Sequence, residues 1–382
     1  MSAAARPLTV NAEPENAPPL LVETPAALRE LIARVSSRAR VALDTEADSL
    51  HAYPEKLCLV QVSLRGEGVA PVDALIDPLA PALAEDAALT PLLETLRPRE
   101  LLLHGADFDL RLLQRSLDFV PARVFDTMLA ARLLGASRLG LKELLAERLG
   151  VAIGKGSRKA NWARRPLDSR MIRYARDDTR YLDALAAQLR AELEARGRLS
   201  WHAEMCAALV EDCAQPREVE PDRVWRLKGS NRLNRLGLAV LRALWRWRED
   251  EAVRCNKPPY FIVSHELLVA AAAAVGAGRS PSFERVPTRR RDAMLEAVEG
   301  ACALAPDERP SRLRARSGAP MSGEQQRRLA NYKRRRDAVA ESLGLDPWLV
   351  ASKSALDRVA RDPETGGASL MRWQRALLLD AP

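Results

Sequence analysis

Apolar residues recur at helical spacing over Ala26, Leu28, Leu31, Ile32 and Val35, and this pattern predicts an opening amphipathic helix. A short apolar run, Val41–Asp44, then predicts a strand that ends on a carboxylate. Leu57–Ser63 is a second strand-like run, Arg65–Gly68 supplies a turn, and Val69–Ile76 reads as a third strand. The first three strands are therefore expected to form an antiparallel meander. Beyond them the pattern alternates. Ala87–Leu96 reads as a helix, Leu101–His104 as a fully buried strand, Asp107–Leu117 as a helix, Val124–Asp126 as a brief strand and Thr127–Leu134 as a helix. Leu141–Leu149 and Arg170–Ala195 carry further helical periodicity. Alternation of this kind predicts a layered α/β domain. The Gly-rich, basic stretch Ala152–Pro166 interrupts it and reads as a loop, in which Lys155, Arg158, Lys159, Arg164 and Arg165 are expected to face phosphates.

Polar composition and two prolines around Cys213–Pro221 predict a linker, and the rest of the chain is nearly all helical. That part repeats itself at an offset of 88 residues. Arg248 matches Arg336, Glu249 matches Asp337, Pro259-Tyr260 matches Pro347-Trp348, and Ser264 matches Ser352. Both copies read as a helix, a short loop with Pro and an aromatic residue, then a second helix capped by the serine. Duplication of a small helical domain explains the ungapped offset. Ala305–Gly323, rich in Pro, Gly, Ser and Arg, predicts a flexible linker between the copies. The expected organisation is a disordered tail at 1–19, an α/β domain at 20–205, a helical domain at 206–304, a linker at 305–323 and a second helical domain at 324–382.

At 382 residues and an ordinary apolar share, the chain can bury two or three cores. No apolar run approaches the ~20 residues of a membrane span, and the first residues lack the basic start and apolar core of a secretory signal. Five scattered cysteines without CxxC spacing favour a reducing cytoplasm and argue against a zinc site or disulfides. The net charge of +8 is unevenly placed. Residues 217–382 hold 31 Lys and Arg against 21 Asp and Glu, a balance of +10, and leave the first part at −2. A basic part beside an acidic one suits a polyanion held by one and worked on by the other.

The acidic part carries the candidate chemistry. In Asp44-Thr45-Glu46 the two carboxylates sit at i and i+2 of a strand and so share a face. Such a pair repels itself unless a cation lies between, and hard Mg²⁺ or Mn²⁺ suits oxygen donors. Alone, the pair is most often solvated surface. Two further pieces change that picture. His104–Asp109 directly follows a buried strand, which puts Asp109 at a sheet edge where ligands gather; Asp107 is a candidate cap for the following helix. Tyr174 and Asp178 stand at i and i+4 of a helix and look the same way, while Asp177 points aside. Asp168 or Ser169 is expected to cap that helix. Two-metal phosphodiester hydrolysis needs carboxylates that bridge ions ~3.5–4 Å apart, and a phenol can orient the attacking water.

The order Asp44-Thr45-Glu46, His104–Asp109, Tyr174–Asp178 resembles the DEDD superfamily of 3′→5′ exonucleases in its Tyr-containing branch. Arg165-Pro166-Leu167 after Trp162, and Cys58-Leu59-Val60-Gln61-Val62, are similar to the ribonuclease D family, and the helical repeats resemble HRDC domains. The resemblance covers nearly everything after the first ~20 residues. It implies an RNase H-like fold with a mixed five-stranded sheet and flanking helices, followed by two all-α HRDC-like domains. It implies two divalent cations held by Asp44, Glu46, Asp109 and Asp178, with Tyr174 orienting the nucleophilic water. Backbone groups at Thr45 would meet the terminal nucleotide, and His104 would fix the strand end or approach substrate. The implied reaction removes one nucleotide at a time from an RNA 3′ end as 5′-monophosphates, with tRNA precursors as typical substrates. Nothing demands a membrane, a dimer or an obligatory protein partner. A DNA exonuclease is the nearest rival, since discrimination rests on 2′-OH contacts. A non-catalytic RNA-binding adaptor is the rival from another class, and it has no use for clustered, mutually repelling acids.

Overall fold

The structure, a computed structural model, describes residues 18–66, 70–85, 87–154, 156–157, 159–216, 220–284, 286–313 and 320–380. Most of the expected tail (1–17), Val69 of the expected third strand, and 217–219 and 314–319 of the two expected linkers lie outside the described residues. The described chain divides into two compact units. One takes the described residues within 1–47, 57–216 and 319–382; the other takes those within 48–56 and 217–318.

The first unit is built on one sheet. Its strands are β1 (Leu20–Val22), β2 (Arg40–Ala47), β3 (Leu57–Leu64), β4 (Val72–Ile76), β5 (Glu100–Leu103) and β6 (Arg123–Asp126), in the order β1-β4-β3-β2-β5-β6. The meander is as expected: β2 with β3 and β3 with β4 are antiparallel, while β5 lies parallel to β2 and β6 to β5. The sheet has six strands, not five. The extra one, β1, pairs Leu20–Val22 parallel with Ala74–Ile76. Three residues just after a Pro-Pro pair carry too short an alternation to register as a strand in the sequence.

The helices are α1 (Pro25–Ser36), α2 (Thr90–Leu96), α3 (Asp107–Leu117), α4 (Thr127–Leu133), α5 (Leu141–Leu149), α6 (Ser169–Arg180), α7 (Leu182–Ala195) and α8 (Leu199–Ala214). Alternation along β2 explains the layers. Val41 and Leu43 enter the core shared with α1, α2 and α3, and Ala42 faces the opposite core with α4, α5 and α7. The expected single helix over 170–195 is two helices that meet at Tyr181, whose ψ near 0° interrupts the helical path.

The second unit contains α9 (Arg235–Cys255), α10 (Pro259–Ile262), α11 (His265–Gly276) and α12 (Thr288–Cys302) around a core of its own. Within it, Tyr53 ties the 48–56 segment to α9: its hydroxyl donates to Glu249 at 2.5 Å and its N–H to Asn256 Oδ1 at 3.1 Å. Burial and the Glu249 carboxylate push the Tyr53 phenol up to about 12.

The chain closes with α13 (Gly323–Leu343), α14 (Pro347–Val350), α15 (Lys353–Arg361), α16 (Pro363–Ala368) and α17 (Arg372–Arg375). The repeat survives in three dimensions. The offset of 88 maps the end of α9 onto the end of α13, and both bounds of α10 onto those of α14. Ser264 Oγ accepts from Leu267 N and Ser352 Oγ from Ala355 N, each at 3.2 Å. Arg248 pairs with Glu249 as Arg336 pairs with Asp337. The second copy is nonetheless part of the sheet-bearing unit. Trp373 stacks on Trp201 of α8 at 4.9 Å between ring centroids, and Arg198 donates to Leu343 O at 2.8 Å.

Candidate active site

β2 runs beyond its partner on one side. Its last parallel pairing with β5 is Ala42 with Leu102, so Asp44, Thr45 and Glu46 project past the end of β5. A register shift against β3 falls between Glu46 and Ala47 and turns the strand away there. The edge left open by β5 exposes the Thr45 amide, and the next element takes it. Asp109 Oδ1 accepts from Thr45 N at 3.0 Å and from Thr45 Oγ1 at 2.6 Å. Both Thr45 donors thus fall on the same oxygen of Asp109.

The turn from β5 into α3 is set by Asp126 at the end of β6, a residue the sequence reading did not single out. Its buried carboxylate accepts from Gly105 N and Ala106 N, both at 2.9 Å, and caps α4 through Met128 N and Leu129 N. Four backbone donors on one carboxylate fix where α3 starts and hence where Asp109 stands. The Asp ahead of a helical Thr-Met-Leu-Ala run signals the cap; the bonds across to Gly105 and Ala106 leave no sequence signal. His104 Nδ1 lies 2.9 Å from Thr127 Oγ1, whose hydroxyl donates to Leu103 O, so His104 does fix the strand end. Burial holds its imidazole below the usual value.

Helix α6 supplies the third side. Asp168 caps it, accepting from Arg170 N and Met171 N at 2.9 Å each. Ser63 on β3 and Thr179 on α6 approach to 2.7 Å and set the helix on the sheet. Tyr174 and Asp178 share a face and are hydrogen-bonded to each other, while Asp177 turns to Arg176 at 3.6 Å. One oxygen from each of Asp44, Glu46 and Asp178 falls within 4.8 Å of the others. Asp109 is not in that tight set, but its charge acts on Asp44. Burial, then the charges of Asp109, Asp178 and Glu46, raise the Asp44 carboxyl well above its usual range. Burial pushes Asp109 up to about 7 against the Thr45 hydrogen bonds, and burial with the Asp178 charge raises the Tyr174 phenol. Crowded, desolvated oxygens that disfavour their own ionisation are what a hard divalent cation stabilises, so the donor set fits Mg²⁺ or Mn²⁺.

The remaining expected residues fare unevenly. Lys155 and Arg158 lie outside the described residues. The loop that carries them does border the site: Gly156 sits so close to Tyr174 that a Cβ there would fall 2.1 Å from the ring. Arg165 does not face outward. Its guanidinium donates to Asp77 Oδ2 and Oδ1 at 2.5 and 2.6 Å, to Trp162 O, to Arg164 O and to Cys58 O. All five of its N–H groups are thereby used, and the side chain clamps the loop to β3 instead of meeting a phosphate. Thr45 is 5% exposed, and its hydroxyl and amide N–H both donate to Asp109. Asp107 does not cap α3; it pairs with Arg111.

Comparison with known proteins agrees with this geometry. Residues 19–194 match the 3′-5′ exonuclease family and 237–275 the HRDC domain. Ribonuclease D of Gluconacetobacter diazotrophicus is 32% identical over 372 residues, which span 95% of this chain and 91% of that protein. The chain belongs to the ribonuclease D family. Ribonuclease D of Acidiphilium cryptum is also 32% identical, over 94% of this chain and 91% of its own. The crystal structure of Escherichia coli RNase D, an exoribonuclease involved in structured RNA processing, superposes with a TM-score of 0.70 at 24% identity, covering 96% of this chain and all of that one. A protein from Bifidobacterium adolescentis superposes at 0.80, also at 24% identity and over 97% of both chains. These two likenesses establish the fold. As a ribonuclease D the chain is a 3′→5′ exoribonuclease, a hydrolase of phosphodiester bonds that uses divalent metal.

Proposed function

We propose that the chain shortens RNA from its 3′ end one nucleotide at a time, releases 5′-monophosphates, and trims the 3′ extensions of tRNA precursors in a reducing cytoplasm. The observation that carries this reading is the meeting of Asp44, Glu46 and Asp178 oxygens within 4.8 Å, beside a phenol bonded to one of them. Asp44, Glu46, Asp178 and the outer oxygen of Asp109 would hold two divalent cations. When bound, such a pair supplies an activated water and steadies the leaving oxygen. The protein contributes placement. Thr45 keeps one oxygen of Asp109 occupied and so presents the other. Tyr174, hydrogen-bonded through Asp178 and backed by Gly156, offers its phenolic oxygen to orient the incoming water. The exonuclease relatives and the intact acid set favour this over the adaptor reading.

The test is a time course on a 3′-extended tRNA labelled at its 5′ end, with Mg²⁺ or EDTA, for the wild type, Asp44→Asn and Asp178→Asn. A metal-dependent ladder shortening from the 3′ end, lost in both variants, is expected. RNA that stays intact with Mg²⁺ while still bound would return the adaptor. A DNA strand of the same sequence, cut equally fast, would return the DNA exonuclease.

A further inference from the structure

Gln61 lies on β3 directly across from Asp44 on β2. Residues opposed in an antiparallel pair project to the same face, with Cβ atoms about 5 Å apart. The Gln61 side chain therefore stands beside Asp44, on the face that α6 covers. Its place beneath α6 follows from its neighbours. Ser63, two residues on and on the same face, meets Thr179 at 2.7 Å. Leu59, two residues back, packs with Met171 and Ala175. Gln61 thus lies under the stretch between Ala175 and Thr179, the turn that carries Asp178. It is completely buried, and among the described residues neither Oε1 nor Nε2 has a hydrogen-bond partner.

A buried amide with both ends unpaired is costly, and native proteins keep few of them. Directly across the strand pair stands Asp44, a carboxylate of the cation site that can accept from its amide. On the reading given above for that site, we propose that Gln61 is a positioning residue: its amide N–H donates to the Asp44 carboxylate when the site carries a divalent cation. That bond would orient the carboxylate toward the cation and give Nε2 its missing partner. Groups that orient metal ligands in this way typically contribute 10–100-fold in metal affinity.

The two states of the site give the test opposite expectations. Gln61→Met keeps the volume and removes the amide. Without metal, the variant should melt no lower than the wild type, because the unpaired amide is gone. With metal, its Mn²⁺ affinity, read by titration calorimetry or by the paramagnetic resonance of free Mn²⁺, should fall about 10–100-fold. Gln61→Leu, of a different apolar shape, should do the same. Mn²⁺ affinity equal to the wild type in a folded variant would overturn the proposal. Failure of both variants to fold without metal would also overturn it, since the amide would then be holding the metal-free fold. Asp44→Asn separates the two layers of the argument. If the wild type itself takes up no Mn²⁺, or Asp44→Asn binds as well as wild type, the cation site fails. If wild-type binding depends on Asp44 but not on Gln61, only this inference fails.

Discussion

Both Thr45 donors fall on one oxygen of Asp109, so the hydroxyl of Thr45 acts on the acid. Burial alone would raise the Asp109 carboxyl further than about 7, and the two Thr45 donors hold it down. Thr45→Val keeps the shape and the backbone N–H but removes the stronger donor. The carboxylate then ionises only at higher pH, and a cation needs the ionised form. The acid limb of the kcat/KM profile should accordingly move to higher pH in Thr45→Val, with the alkaline side unchanged. A limb that stays in place would show that Asp109 is not the group that titrates there. That Thr45 serves Asp109 could not be read from the sequence, because the bond joins residues 64 positions apart. The reading of Asp44 and Glu46 as a pair needed only strand periodicity, which is local. Arg165 marks the same boundary: a basic residue in a Gly-rich loop predicts a phosphate contact, and only the fold brings Asp77 to it.

Elements whose identity rests on a local period came through the sequence well. Strand β2 and helix α6 stand where apolar spacing placed them, while α10 and α14, expected as short loops, each close one helical turn behind a Pro at the first position. Elements that exist by pairing did not, β1 being the case, since three residues become a strand only when β4 supplies the partner. The division of α6 from α7 escaped for the opposite reason: both halves keep helical periodicity, and the break at Tyr181 is conformational. The duplicated caps let the local rule be tested twice. Each serine accepts one amide of the first turn of a long helix, α11 or α15, at the same 3.2 Å. Ser264→Ala and Ser352→Ala should each cost about 1 kcal/mol, read as a lowered midpoint in chemical denaturation. Equal costs would mean that the two copies hold their second helix in the same way; a negligible cost at Ser352 would place the stability of α15 in its packing against α13 and α16.

At the scale of the molecule, the balance of +10 over residues 217–382 overstates what RNA can use. Many of the basic side chains are engaged within the protein. Arg290 pairs with Glu251, Arg291 donates to Glu284 O and Val286 O, Arg335 donates to Leu377 O, and Arg336 pairs with Asp337. Within the cluster 333–336 this leaves Lys333, which is exposed, and Arg334, which is exposed and contacts Asn331 on its own helix. Removing α13 to α17 would be a poor test of their role. Trp201 would lose its stacking partner Trp373 and Arg198 its bond to Leu343 O, so any loss of RNA binding could come from a damaged exonuclease unit. Point changes avoid this. RNA affinity measured across salt, with EDTA to prevent cutting, should show a shallower slope for Lys333→Gln with Arg334→Gln. Two lost phosphate contacts on a single strand are expected to lower it by about 1.4, at about 0.7 each. Arg335→Gln with Arg336→Gln should instead lower the melting temperature and leave the slope alone. The reverse pattern would place the RNA along the arginines now engaged with the protein, and an unchanged slope in both pairs would take the cluster 333–336 off the RNA path.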